Sequence, residues 1–225
     1  MLAQAPSTWD WDFAIEILPE LLRGLWVTVR LTLLGITLAL IFGLVLALLR
    51  RSRYVVIRWP VGLFVEFIRS TPLLVQLFFL FFVLPDFDIV LSGFTAGVIG
   101  LAVHYACYTS ETYRAGIESV PRGQWEAATA INLSRRQMWW SVVLPQAIPI
   151  SLPALGNYLV ASFKDAPLAS TITVAGILAA AQRIQSQTFR GLEPFTMAGL
   201  LFLAVSLIAS AFVRILEKRY AYERD

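Results

Sequence analysis

Apolar residues in this chain arrive in long unbroken blocks, neither alternating nor confined to one helical stripe. Residues 24–49, GLWVTVRLTLLGITLALIFGLVLALL, carry a single charge, Arg30. About 20 apolar residues are enough for a helix to cross the hydrocarbon layer. Four further blocks reach that length, at 59–84, 94–113, 138–163 and 195–216, and prolines fall inside 59–84 and 138–163. The pattern predicts an all-α integral membrane protein of about five transmembrane helices. Residues 1–225 then form one transmembrane domain, with no length left for a soluble one. Residues 167–184, PLASTITVAGILAAAQRI, are apolar but bounded by Pro167 and polar residues. That segment is too short to cross and is expected to dip into the outer half of the bilayer as a re-entrant gate.

Charge sets the orientation. Arg50, Arg51, Arg53 and Arg58 follow the first block, and Arg114, Arg122, Arg135 and Arg136 lie between the third and fourth. Arg214, Lys218, Arg219 and Arg224 close the chain, making twelve basic residues against four on the other side, Arg23, Lys164, Arg183 and Arg190. Basic loops stay cytoplasmic. The N-terminus and residues 85–93 and 164–194 are therefore expected outside, and the C-terminus and residues 114–137 in the cytoplasm. The first dozen residues lack a basic run and contain Asp10 and Asp12, which argues against a cleavable signal. Trp9, Trp11 and Phe13 are expected at the outer interface.

Composition removes other classes. Hydrophobic residues make up 58% of the chain and charged residues 15%, against roughly 25% charged in soluble domains. The net charge of +3 is thus a mark of topology and no argument for nucleic acid. Cys107 and His104 are the only residues of their kinds, so no internal disulfide, His/Cys metal site or Cys–His nucleophile pair is predicted. No catalytic Ser/Lys, Asp pair or HExxH presents itself either.

The polar interruption at 123–149, GQWEAATAINLSRRQMWWSVVLPQAIP, reads as built local structure. Gly123 is expected to cap a short helix with Glu126 in its first turn, where a negative charge suits the dipole. Ala127 and Ala128 keep one face small enough for close approach by another backbone. Asn132 falls where the helix stops, in the left-handed position that glycine or asparagine adopts. Ser134 and Gln137 have the spacing of a capping box opening the next span.

Within the spans, Gly35, Ala39, Gly43 and Ala47 form a small-residue stripe suited to helix packing, as do Gly93 and Gly97. Pro145, Pro149 and Pro153 share one face of the fourth span and weaken its backbone ladder. Polar groups at membrane depth are costly and mark function. His104, Tyr108 and Glu111 lie on one helical face, Arg69, Thr71 and Gln76 surround Pro72, and Asn157 lies in the fourth span. These are the candidates for a solute pathway. For Glu111 and Arg69 two roles stand open, lining the path or pairing as structural ions.

The stretch EAATAINLSRRQMWWSVVLPQAIP resembles the EAA loop of ABC importer permeases, the element that docks on the ATPase. Glu126, Ala127, Ala128, Leu144 and Pro145 match that pattern, and Asn132 stands where the family usually has glycine. VEFIRSTPLLVQLFF (65–79), YTSETYRAGIESVPRGQWEAA (108–128) and LPQAIPISLPALGNYLVASFKDAPLAS (144–170) are similar to the polar amino acid uptake subfamily, of the histidine, glutamine and arginine type. The wording is closest to ectoine and hydroxyectoine permease subunits. The resemblance implies a coupling helix between spans three and four, with Gly123, Glu126, Ala127, Ala128, Asn132, Leu133, Leu144 and Pro145 as coupling residues. It implies ABC ATPase subunits carrying ATP and Mg, an extracytoplasmic solute-binding protein, and a pore completed by a second permease copy or a related permease. The only lysines, Lys164 and Lys218, follow Phe163 and Glu217, so the Gly-Lys-Ser/Thr of a phosphate loop has no place in this chain. A secondary transporter or channel is the alternative, but it ordinarily shows more spans or inverted repeats.

Overall fold

The computed structural model describes residues 8–221; Arg224, counted above among the basic residues, lies outside them. Nine α-helices and no strand are present among the described residues: α1 Trp11–Arg50, α2 Val55–Arg69, α3 Leu73–Phe78, α4 Gly93–Glu118, α5 Arg122–Ala130, α6 Arg135–Met138, α7 Leu144–Asp165, α8 Ile177–Thr188 and α9 Leu192–Ala221. Among the described residues three stretches are long and apolar enough to cross a membrane, Trp11–Arg50, Arg135–Ile172 and Leu192–Arg219. The broken pair Val55–Arg69 and Leu73–Phe87 passes together as a fourth. α4 has spanning length but is not among these, and its residues from Ala96 to Ser110 are nearly all buried or half-buried. A helix enclosed by protein faces little lipid, so it can carry His104, Tyr108 and Glu111 where an outer helix cannot.

Several expected boundaries move. The first helix starts at Trp11, well before 24, because the Asp10 carboxylate caps it, accepting from the N–H groups of Asp12 (3.0 Å) and Phe13 (3.2 Å). The span expected at 59–84 is two helices, since Pro72 cannot donate within a helix and serves as the N-cap of α3. The segment 167–184 divides into a 3₁₀ turn, Ala166–Ile172, and α8.

The prolines leave a shared signature. A π turn, Phe79–Val83, ends with the Leu84 N–H bonded to the Phe79 carbonyl, just before Pro85. A second, Trp139–Val143, ends with Leu144 bonded to Trp139, just before Pro145. Widening the turn by one residue accommodates the ring that would otherwise collide with the carbonyl four residues back.

The chain forms two compact units: residues to Gly35, Pro72–Leu101 and Ala161–Ala209 make one, and Ile36–Thr71, Ala102–Val160 and Ser210 onward the other. In the first, Ile17 and Leu21 of α1 pack with Ile177, Ala180, Ala181 and Ile184 of α8 and Ala198 of α9. Backbones nearly touch there, since a Cβ on Gly24 would lie 2.9 Å from the Gly176 carbonyl oxygen. α8 has no side-chain cap of its own. Thr28 replaces it, its hydroxyl accepting from the Ile177 N–H at 3.1 Å. Arg190 bridges Asp10 (3.1 Å) and the buried Glu193 (2.5 Å) and lies over the Phe13 ring. The Phe13 N–H, and after it Arg190, hold the Asp10 carboxyl below its ordinary range.

In the second unit the small-residue stripe does the packing expected of it. A Cβ on Gly43 would collide with the Thr109 hydroxyl and lie 2.9 Å from the Ala106 carbonyl, while Thr109 donates to the Ala39 carbonyl at 3.1 Å. Gly116 likewise leaves room for Ser151 of α7. Lipid tails are as apolar as leucine, so close contact of this kind, more than hydrophobic burial, holds such helices together.

Gly43→Val should therefore lower the thermal midpoint of the detergent-purified protein, at a cost of about 1–3 kcal/mol from overpacking. Gly199→Ala, on α9 where an added Cβ meets nothing within 4 Å, should leave the midpoint unchanged or raise it.

Candidate functional site

Two constellations in the second unit carry the chemistry, and the first is the polar interruption. α4 ends at Glu118, and the chain restarts as α5 directly after Pro121, which takes the N-cap position. This corrects the expected start: Gly123 lies inside the first turn, and Glu126 lies beyond it, away from the dipole's positive end. The C-terminal end follows the sequence. Asn132 has φ 55°, its N–H reaches the Thr129 carbonyl at 3.0 Å and the Leu133 N–H reaches Ala128 at 3.0 Å, the paired closure of a Schellman end. Ser134 and Gln137 form the capping box, the Ser134 hydroxyl accepting from the Gln137 N–H (3.3 Å) and the Gln137 Oε1 from the Ser134 N–H (3.0 Å).

Aromatic side chains fasten this element. Trp125 meets the edge of Trp139 at 5.6 Å, and Arg51 lies over both rings at 5.9 and 5.7 Å. Beneath them Ile117, Val120, Val143 and Ala147 form a buried cluster. Gln146 donates to the Val142 carbonyl at 2.8 Å and reaches Gln124 of α5 at 3.4 Å. Ala128 is 3% exposed, so it does not present itself outward beside Ala127. Gly123, Glu126, Ala127 and Ile131 are exposed, Leu133 and Leu144 half-buried and Pro145 exposed. An open groove of about 430 Å³ runs along Trp125, Glu126, Thr129 and Ala130.

The second constellation centres on Glu111. Its carboxylate receives Arg50 of α1, Arg114 at 2.8 Å and Arg69 of α2 at 3.6 Å, and Arg114 also pairs with Glu118 at 2.6 Å. Arg69 lies over the Tyr108 ring at 5.4 Å, and the Tyr108 hydroxyl donates to the Arg69 carbonyl at 3.3 Å. The Arg69 Nε is buried without a hydrogen bond. His104, Tyr105, Tyr108 and Tyr158 continue the cluster as a chain of ring contacts with centroids 5.0–6.4 Å apart.

Of the pathway candidates, Arg69, His104, Tyr108 and Glu111 are thus brought together. Thr71 closes the end of α2, donating to the carbonyls of Phe67 and Ile68. Gln76 lies in the other unit, half-buried on α3. Asn157 is exposed on α7, next to Tyr158, which does join the cluster. Sequence reasoning missed Arg50 as a partner of Glu111 and missed Tyr105 and Tyr158. Two tyrosines within apolar helices were the available signal, whereas nothing local points from Arg50 to a residue 61 positions away.

The sequence profile of the family described as "Binding-protein-dependent transport system inner membrane component" matches residues 35–222. The chain belongs to that family. Over 215 residues it is 45% identical to a probable amino-acid ABC transporter permease of Sinorhizobium fredii, covering 93% of each chain. It is 36% identical over 211 residues to the L-cystine transport system permease of Bacillus subtilis, covering 93% of this chain and 90% of that one. Among solved structures, one titled "Crystal structure of an amino acid ABC transporter with histidines" aligns with TM-score 0.88 at 35% identity, over 94% of this chain and 99% of that one. The chain is a multi-pass inner-membrane protein and the permease pore subunit of an amino-acid ABC importer, and its relatives are translocation subunits. The family implies an ATPase and a substrate-binding protein as partners.

Three guanidiniums share the Glu111 carboxylate, so Glu111→Gln should lower the thermal midpoint of the purified subunit. The expected cost is on the order of 2–3 kcal/mol, short of the 3–5 of a fully buried pair. Adding Arg50→Gln should recover part of it. A stable Glu111→Gln subunit that fails only in transport would instead place Glu111 on the solute path.

Proposed function

We propose that this permease imports a polar amino acid or an amino-acid-derived compatible solute of the ectoine type, with α5 as the docking helix for the ATPase. The observation that carries the docking role is the construction of 121–137: the helix opens directly at Pro121, closes on Asn132 in its own C-terminal turn, buries Ala128, and leaves Gly123, Glu126 and Ala127 outside. A short rigid helix with a small outer face suits a socket on another protein. ATP with Mg is bound and hydrolysed by the partner subunits, and an external binding protein delivers the solute. A second copy or a related permease completes the pore. The basic asymmetry supports a cytoplasmic 114–137, with residues 85–93 and 164–194 outside and 167–184 as the outer gate. Relatives named for amino acids, L-cystine among them, support the solute class. His104, Tyr108 and Asn157, with Thr71, are the polar groups proposed to meet the solute. Arg69 and Glu111 position them.

Ala127→Trp should abolish co-purification with the ATPase and ATP-driven uptake into proteoliposomes carrying the binding protein. The subunit's own thermal midpoint should be preserved, because Ala127 is exposed. Ala128→Trp should unsettle the loop itself, since that side chain is buried. An Ala127→Trp complex that assembles and transports normally defeats the docking assignment. Histidine, cystine and ectoine supplied to the same vesicles read out the solute.

Orientation has a separate check. The native Cys107 is buried, so introduced thiols report alone. Asp88→Cys should react with an impermeant reagent from outside intact cells, and Ser134→Cys only after permeabilisation. Labelling in the reverse pattern refutes the topology.

A further inference from the structure

Helix α2 carries two adjacent strips that neither the coupling element nor the aromatic cluster uses. Arg58, Gly62 and Glu66 recur at every fourth position, and beside them Trp59, Leu63 and Phe67 do the same, all three exposed. The packed side of the helix lies elsewhere, with Val65 and Ile68 buried against Leu46, Val103 and Cys107. Over the polar strip opens a cavity of about 450 Å³, lined by Arg50, Arg58, Trp59, Leu63, Glu66 and Arg114 among others. Three guanidiniums face one carboxylate in that lining. The surroundings reduce the imbalance without removing it: Arg50 and Arg114 pair with Glu111, which Arg69 also approaches, Arg114 pairs further with Glu118 and Arg69 with Glu66, and Arg58 has no ion pair among the described residues.

We infer that this cavity holds the phosphate of an anionic phospholipid, whose acyl chains run along Trp59, Leu63 and Phe67. The chemistry required is a compact anion attached to a long apolar body, since the cationic lining and the exposed apolar strip are contiguous on one helix. Guanidinium groups engage phosphate oxygens in paired, planar contacts. Basic pockets between membrane helices take acidic lipid headgroups, and a tryptophan at the edge of such a pocket sits naturally at headgroup level. Free phosphate would satisfy the arginines but leave the strip bare. A second copy of this chain, packed here about a two-fold axis, would bring the same arginines against these. The lipid phosphate supplies the negative charge that Arg58 lacks and that Arg50 and Arg114 otherwise share at Glu111.

The test uses the full-length subunit purified in detergent, with bound lipid read by native mass spectrometry. Added dioleoylphosphatidylglycerol should be retained in clear preference to dioleoylphosphatidylcholine of the same chain length. Arg58→Gln, which removes an exposed and unpaired side chain and so spares the fold, should cut that preference about fivefold, the weight of one basic residue near an anionic headgroup. Arg58→Lys should keep most of it. Equal retention of the two lipids, or an Arg58→Gln protein with undiminished preference, overturns the assignment. So does inorganic phosphate at millimolar concentration displacing the phosphatidylglycerol, because the site would then recognise the anion alone.

Discussion

Hydrocarbon offers no water to take up a freed backbone group, and that constraint decides where this chain is allowed to bend. Each interruption is repaired from within. Leu84 and Leu144 reach one residue further back along the helix ahead of Pro85 and Pro145. Thr71 donates to carbonyls at the end of α2, Gln146 to Val142, and Ser151 to Ala147. At α8 the repair comes from Thr28, 149 residues away in sequence. Polar side chains that look like candidate ligands in an apolar sequence are in these cases engaged in keeping the backbone satisfied.

The second organising force is charge. Glu111 gathers Arg50, Arg69 and Arg114, so one carboxylate ties together residues of α1, α2 and α4. A buried ion pair of this kind is weak evidence for net stability, but removing one member leaves the others uncompensated. The neighbouring Arg51 lies over Trp125 and Trp139 instead. Consecutive arginines at the end of α1 thus hold the charged cluster with one side chain and the loop helix with the next. On the proposed docking role, a push on α5 meets the end of α1 through aromatic rings and a guanidinium, contacts that are stiff at short range.

Membrane residence, helical class and family are properties of the sequence by itself. The apolar blocks exceed the length a bilayer needs, and family motifs recur along the chain. Local devices were equally legible where they depend on neighbours within a few positions. Asn132 takes the left-handed turn because its short polar side chain tolerates it, and Ser134 with Gln137 caps the next helix because their spacing alone permits it. Gly43 marked close approach, though not what would approach.

Tertiary structure decided everything that depends on a residue's distant partner. Ala127 and Ala128 are adjacent and chemically identical, yet one is outside and the other buried, because Trp125 and Trp139 choose the inward face of α5. α4 is a membrane-length helix without membrane-grade apolarity, which is acceptable only because its neighbours cover it. Glu111 could line a path or bind ions on sequence alone. Its environment is set by Arg50, which lies far along the chain and a single salt bridge away in space. Hydrogen-bond and packing energies fall off over a few ångströms, so only the folded chain determines which residues come within that range.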